Sequence, residues 1–332
     1  MRLVVLGLTI FASCLLCYNS DKSYSLSHSE IGYDSKGNSS KVIETYDSQK
    51  KKVYMVFNKP PRRVVTNQEG VLETLLALNV GNSIVAASIS NRYMQPIPDS
   101  LLNGQRLPPI LRHEFDRETI LMTNPDFIVG WRSTFSYGAL GSTDFWNSRG
   151  IPTYIVASSN RIKTDATIDD ECNFIMDMGR IFSKEELSKE IVSRIYSRLS
   201  HYQLLTSKIN HHPRVMVLQY NSPANIFAYE KSWLIGNIIS CLGGQLVAGE
   251  NHTISKEEII RQNPEIIFVM CTGQIDSSLY ESYVKNDLSL NSIDAVKNNR
   301  IYAIPFSYVY APGVNLEKGL SLIFDDMYPN MT

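Results

Sequence analysis

The sequence predicts an α/β protein of two Rossmann-like lobes with parallel-rich sheets, joined by a single long helix with a cleft between the lobes. Three observations predict it. Short apolar runs alternate with helical stretches in both halves of the chain. Between the halves, residues 167–209 contain almost no Gly or Pro. One helix–turn–strand signature also occurs twice, once in each half.

Val53 to Phe57 alternates as a strand, Lys59-Pro60-Pro61-Arg62 breaks it, and Arg63 to Thr66 begins another. Gly70 to Leu78 has the apolar spacing of a helix. Ile84 to Ser88, Phe127 to Trp131 and Thr153 to Ala157 are short apolar runs of the kind that form buried parallel strands. From Ile168 to Leu199 apolar residues recur at helical spacing, with a break at Ser183. The alternation then resumes with strand-like runs at Val215–Leu218, Ile266–Met270 and Ile301–Ile304. Helices are expected at Trp233–Leu242, Lys256–Gln262 and Leu316–Met327. The duplicated signature is Glu118…Asn124-Pro125-Asp126 and Glu257…Asn263-Pro264-Glu265. Each follows a helix cap (Asp116, Ser255), stops at Asn-Pro and runs into a strand.

The N-terminus is read as a signal. Met1-Arg2 precedes the apolar stretch Leu3–Ala12, about half the length needed to span a bilayer. Phe11-Ala12-Ser13-Cys14 resembles a lipobox, which makes Cys14 the acylated residue; Leu16 fills the position before Cys17 where a small residue is needed. The expected organisation is a signal over 1–14, a solvated tether over 15–51, an N-terminal lobe over 52–165, an interdomain helix over 166–210 and a C-terminal lobe over 211–332.

Composition excludes several classes. Basic and acidic residues number 32 and 33, with no basic stripe, which argues against a nucleic-acid partner. Cys172, Cys241 and Cys271 show no metal-ligand spacing; they read as buried thiols, or as one bridge and a free thiol. His28, His113, His201, His211, His212 and His252 form no short-spaced metal pair. No nucleophile elbow, phosphate loop or dinucleotide fingerprint is present, so a secreted α/β enzyme lacks its machinery and no intrinsic cofactor is expected. A purely structural lipoprotein would not need the duplicated glutamates.

Pro60-Pro61-Arg62-Arg63-Val64-Val65-Thr66, Glu73 to Val85, Cys241-Leu242-Gly243-Gly244, Asp294 to Tyr302 and the paired Glu…Asn-Pro-acid segments stand in a telling order. Together they resemble the substrate-binding proteins of ABC importers for iron-siderophores, haem and vitamin B12. Asn79 stands where that family usually has Gly, and Glu265 where Asp is common. The resemblance implies a monomeric, extracytoplasmic carrier of an iron complex, foremost a ferric siderophore, with a corrinoid or haem as the alternative. It implies a permease dimer with a cytoplasmic ATPase as partner, and Glu118 and Glu257 as the surface acids that meet permease arginines. Trp131-Arg132, at a strand end, also resembles the corrinoid-binding members. The cleft is expected to draw on Trp131, Arg132, Arg92, Tyr93, Met94, Arg112, His113, Asn225, Phe227, Tyr229, Trp233, Tyr308 and Tyr310. Flat apolar rings would cover an aromatic chelate and arginines would pair with its carboxylates. His113, Tyr310 and Met94 are candidate axial ligands should the cargo be haem.

If Cys14 carries the anchor, Cys14→Ser should move the mature chain from the membrane to the soluble fraction on cell fractionation, and Cys17→Ser should not. Release by Cys17→Ser alone would place the anchor there instead.

Overall fold

The structure is a computed structural model that describes residues 31–33, 39–89, 97–111, 115–222, 225–248, 252–272 and 276–331. Three strands open it: β1 (Ile31–Tyr33), β2 (Ser39–Tyr46) and β3 (Lys52–Phe57), antiparallel in that order. The N-terminal lobe holds β4 (Val64–Asn67), α1 (Glu69–Ala77), β5 (Ile84–Ser88), α2 (Asp99–Leu102), β6 (Ile110–Leu111), α3 (Arg117–Met122), β7 (Phe127–Gly130), α4 (Thr143–Asn147) and β8 (Thr153–Ile155). Its sheet runs β6-β5-β4-β7-β8, parallel throughout. Two helices follow, α5 (Ile168–Ile181) and α6 (Glu185–Thr206). The C-terminal lobe holds β9 (Arg214–Ser222), β10 (Asn225–Ala228), α7 (Leu234–Cys241), β11 (Gln245–Leu246), β12 (Thr253–Ile254), α8 (Lys256–Gln262) and β13 (Ile266–Cys271). It continues through α9 (Ser277–Lys285), α10 (Asp294–Lys297), β14 (Ile301–Pro305), α11 (Phe306–Val309) and α12 (Leu316–Met327). Its sheet runs β12-β10-β9-β13-β14, with β11 also paired to β9. The central strands β7 and β13 are buried along their whole length, as strands covered on both faces must be.

One expectation changes and another is sharpened. The tether does not reach residue 51, because Ser39–Tyr46 is a strand registered on β3 from Lys41↔Phe57 to Tyr46↔Lys52. Its inner face is carried by one apolar residue, Ile43, and by Thr45, whose hydroxyl accepts the Ile155 N–H; so sparse a pattern leaves no apolar period to read. Lys41 reaches from the same strand to Glu185 and the Arg180 carbonyl, closing the turn between α5 and α6. The region 166–210 is two helices that part at Ser183, where the sequence places the break. Ser183 takes φ 55°, and the chain folds back so that Tyr196 donates to Asp169 and Gly179 lies against Ser188. The long crossing helix is α6, which runs from Lys41 in the N-terminal region to Phe324 of α12, where Tyr202 stacks at 3.9 Å. Among the described residues no helix is long and apolar enough to cross a membrane.

The repeat read from sequence is an atomic repeat. Asn124 and Asn263 both take left-handed φ, 50° and 39°, and end their helices. Arg63 donates to the carbonyls of Thr123 and Asn124, and Arg214 to that of Asn263. Asp126 accepts the Arg62 and Arg63 N–H groups, while Glu265 pairs with the Arg214 side chain at 3.1 Å. In each lobe an arginine at the head of the first strand thus ties down the end of the helix that leads into the next strand.

The lobes are tied together by residues 311–315. Gly70 of α1 lets them approach: a Cβ there would lie 2.5 Å from the Ala311 carbonyl oxygen. Val314 N donates to Thr74, Asn315 donates to the buried Glu73, and Gly313 N donates to Glu171 at 2.6 Å. Glu171, fully buried on α5, also accepts from Ser158 of the N-terminal lobe. Burial pushes its carboxyl up to about 7 against the pull of those two hydrogen bonds.

A carboxyl raised in this way holds its proton more firmly folded than unfolded. The stability it contributes is complete below its ordinary value of 4.5 and is lost as pH rises through about 7. Glu171→Gln, whose amide can serve both partners because the Ser158 hydroxyl also accepts, should flatten this part of the profile. The parent should lose up to roughly 3 kcal/mol relative to the variant between pH 4.5 and 8 in urea unfolding. Parallel profiles for the two proteins would show that Glu171 does not titrate there.

Candidate functional site

Where β7 and β8 end, the N-terminal lobe meets the C-terminal lobe through a row of rings. Trp131, directly after β7, stands edge-on to Tyr310 with centroids 4.9 Å apart and tilted to Phe306 at 6.0 Å. Phe306 and Tyr310 stack at 4.6 Å. They share one side of the short α11 because four residues make about one helical turn. Beyond Tyr310 lies Trp233 at 5.6 Å, then Phe227 and Tyr229 against Trp233, and finally His252 stacked on Phe227 at 5.5 Å. The row therefore crosses from one lobe to the other. Trp131 and Tyr310 are buried, whereas Phe227, Trp233 and His252 are half-buried at the rim.

A polar group sits on this rim. Arg161, in the segment after β8 and at φ 54°, lays its guanidinium over Trp233, 4.9 Å from the centroid. It pairs with Glu230 at 2.8 Å and lies 2.9 Å from His252 Nε2. Guanidinium has no acceptor, so Arg161 donates and Nε2 carries the lone pair; the ring hydrogen then sits on Nδ1, 2.7 Å from Glu230 Oε1. Asn160 N donates to the Tyr310 hydroxyl, joining the two lobes once more. Chemically the rim offers flat apolar faces, a guanidinium, and a histidine whose Nε2 accepts from that guanidinium.

The structure gathers Trp131, Tyr310, Trp233, Phe227 and Tyr229 into one place. Asn225 and Phe227 lie on strand β10 rather than in a loop, because 225–228 pairs antiparallel with β9. Asn225 is exposed at the strand start, and Tyr229 is buried with its hydroxyl on Gln219. Arg132 and Tyr308 lie apart from this row. Arg132 turns away, its Nε donating to the Ser48 carbonyl of the β2–β3 connection. Tyr308 faces the opposite side of α11, under Lys318 in a shallow 410 Å³ depression against α6 and α12. A strand would have set Tyr308 and Tyr310 on one face; the helical turn pairs Tyr310 with Phe306 instead. Arg92, Tyr93, Met94, Arg112, His113 and Cys14 lie outside the described residues.

Arg161, Glu230, His252 and Phe306 were not singled out from sequence. Arg161 and Glu230 carried no motif. His252 read as an isolated histidine, although it lies just five residues before Glu257. Cys172, Cys241 and Cys271 are free thiols, and no cluster suited to a metal ion occurs among the described residues. Glu118 and Glu257 are both exposed on the first turns of α3 and α8, with no salt bridge among the described residues. Its own backbone N–H and the Ser255 hydroxyl hold the Glu257 carboxyl below its ordinary value.

Two α/β lobes closing on a ring-lined, charge-tipped junction define a bilobal solute-binding protein. The chain belongs to the periplasmic binding protein family, whose model matches residues 64–308. Among curated proteins it is similar to the high-affinity heme uptake system protein IsdE of Staphylococcus aureus. The two are 25% identical over 164 residues, 46% of this chain and 55% of that protein, so the match spans about half of the relative's length. Among solved structures it is similar to a periplasmic binding protein from Veillonella parvula (TM-score 0.76, 25% identity, 91% of this chain and 95% of that one). It also shares its fold with an ABC-type Fe3+-hydroxamate transport system protein from Saccharomonospora viridis (TM-score 0.70, 19% identity, 86% and 98% covered).

Proposed function

We propose that this chain is the extracytoplasmic binding component of an ABC importer, held to the membrane through Cys14, and that it carries an iron complex to a permease dimer powered by a cytoplasmic ATPase. The observation that carries this reading is the interlobe row of rings with Arg161 at its rim. The rings supply flat apolar cover, and Arg161 supplies a cation that Glu230 occupies until an anionic ligand competes for it. That combination suits an anionic, partly aromatic chelate, of which a ferric siderophore is the foremost case. Membership of the family and the iron-related relatives support the class of cargo.

A second reading, haem, is favoured by His252. Its Nε2 lone pair accepts from Arg161 at the rim, and iron would take that lone pair as Arg161 turns to the propionates. The relative IsdE is named for heme uptake.

The visible spectrum of protein purified from iron-fed cells separates these cargoes, since ferric chelates, haem and corrinoids absorb in different bands. Arg161→Ala should weaken a carboxylate-bearing ferric chelate by about 1.5–3 kcal/mol, the scale of a charge-assisted hydrogen bond, and leave a neutral corrinoid untouched. His252→Ala should change the haem spectrum and not that of a siderophore complex. Binding should also quench fluorescence, because two of the three tryptophans, Trp131 and Trp233, stand in the row. Unchanged affinity of Arg161→Ala across all three ligand classes would remove the rim from the binding site.

Docking is tested separately. Glu118→Arg and Glu257→Arg should leave ligand affinity nearly unchanged while lowering uptake and permease association, at a cost of several kcal/mol for like charges brought together at an interface. Equal loss of ligand binding and uptake would assign these acids to ligand binding instead of docking.

A further inference from the structure

The helices α3 and α8 are copies of one surface device, related by a constant offset of 139 along the chain (118 to 257, 121 to 260, 124 to 263). Both begin with a side-chain cap, Asp116 on Thr119 N and Ser255 on Glu258 N. Each is seated by one fully buried isoleucine, Ile120 and Ile259, and each ends on a left-handed asparagine held by an arginine. Their seating is therefore rigid and equivalent. Each helix runs back along the strand that follows it, so its first turn lies at the end of the lobe where the strands point into the junction.

What these helices present outward is also repeated. Three residues after each exposed glutamate comes an exposed aliphatic side chain, Leu121 at 40% and Ile260 at 37%. Residues three apart on a helix are neighbours, so each acid has an apolar side chain beside it. A single exposed leucine needs no explanation. An aliphatic residue exposed to the same degree at the same position of both copies does. At an interface such a neighbour keeps water from the ion pair and raises what the charge contributes. The copies then diverge at one place. Met122, 79% exposed, corresponds to Arg261, which is bound twice to Glu258 at 2.7 Å. The N-terminal patch is thus an acid with two apolar neighbours, and the C-terminal patch an acid with one.

We propose that Leu121 and Ile260 are contact residues of the permease interface, each entering the same apolar seat beside a cation on one of two identical subunits. Met122 makes the N-terminal contact the less salt-sensitive of the two. A surface that repeats itself about a pseudo-two-fold axis is complementary to a partner that repeats itself about a true one, which commits the occupant to a two-fold dimer. This rests on the carrier reading above and adds contact residues and an order of strength to it.

The test uses the full chain and its cognate permease–ATPase complex in nanodiscs. Leu121→Ser and Ile260→Ser should each weaken association roughly tenfold, with ligand affinity and thermal unfolding unchanged. Met122→Ser should steepen the salt dependence of association. A photocrosslinker at 121 and another at 260 should capture the same permease residue. If both serine variants associate as the parent does while Glu118→Gln and Glu257→Gln lose association, the apolar contacts are refuted and acid docking stands. Capture of different permease residues from 121 and 260 overturns the two-fold assignment. A chain that binds no iron complex in the spectroscopic assay fails at the earlier step, independently of these variants.

Discussion

Residues 311–315 leave the C-terminal lobe and lie against α1 of the opposite lobe, and the rest of the molecule is arranged around that contact. It requires a glycine at 70, because any Cβ would collide with the Ala311 carbonyl, and left-handed backbone at Ala311 and Gly313. It also requires hydrogen-bond acceptors deep in the interface, which Glu73 and Glu171 supply. Buried carboxylates are costly unless they are bonded, so both are held by donors from the arriving segment. The same segment begins with Phe306 and Tyr310. Fixing residues 311–315 on α1 therefore also fixes where Tyr310 meets Trp131, and with it the row of rings across the junction.

The rim depends on that placement in turn. Arg161 comes from the N-terminal lobe, and Glu230, Trp233 and His252 from the C-terminal lobe. A guanidinium between a carboxylate and an indole face is satisfied in the closed junction yet still half-exposed. An arriving anion would exchange one partner for another instead of stripping a bare charge of water. The repeated arginine–asparagine–acid ties at the heads of β4 and β9 hold the corresponding corner of each lobe.

Much of this was legible in sequence because it rests on periodicity. The short apolar runs at 84–88, 127–130 and 266–271, alternating with helical stretches, fit strands covered on both faces, and the repeated Asn-Pro-acid marked equivalent junctions. Three features were not legible. Strand β2 hides its buried face in Ile43 and Thr45, one of which is polar and bonded. The break at Ser183 shows in the sequence, but the helical spacing on either side of it does not say that the chain doubles back there. Residues 306–310 follow a strand and invite a two-residue alternation, but they form a helical turn that turns Tyr308 away and brings in Phe306. Arg161 and His252 were invisible for a different reason: their chemistry arises from partners far apart in sequence, 69 residues from Arg161 to Glu230 and 91 to His252.

The reversal at Ser183 has a mechanical result. Because α5 doubles back before α6 crosses, the connection is a pair of braced rods, and residues 311–315 are fastened to α5 as well as to α1. A joint fastened at two places has little compliance and cannot swing like a single flexible linker. The two lobes are therefore set at one spacing by their own side chains.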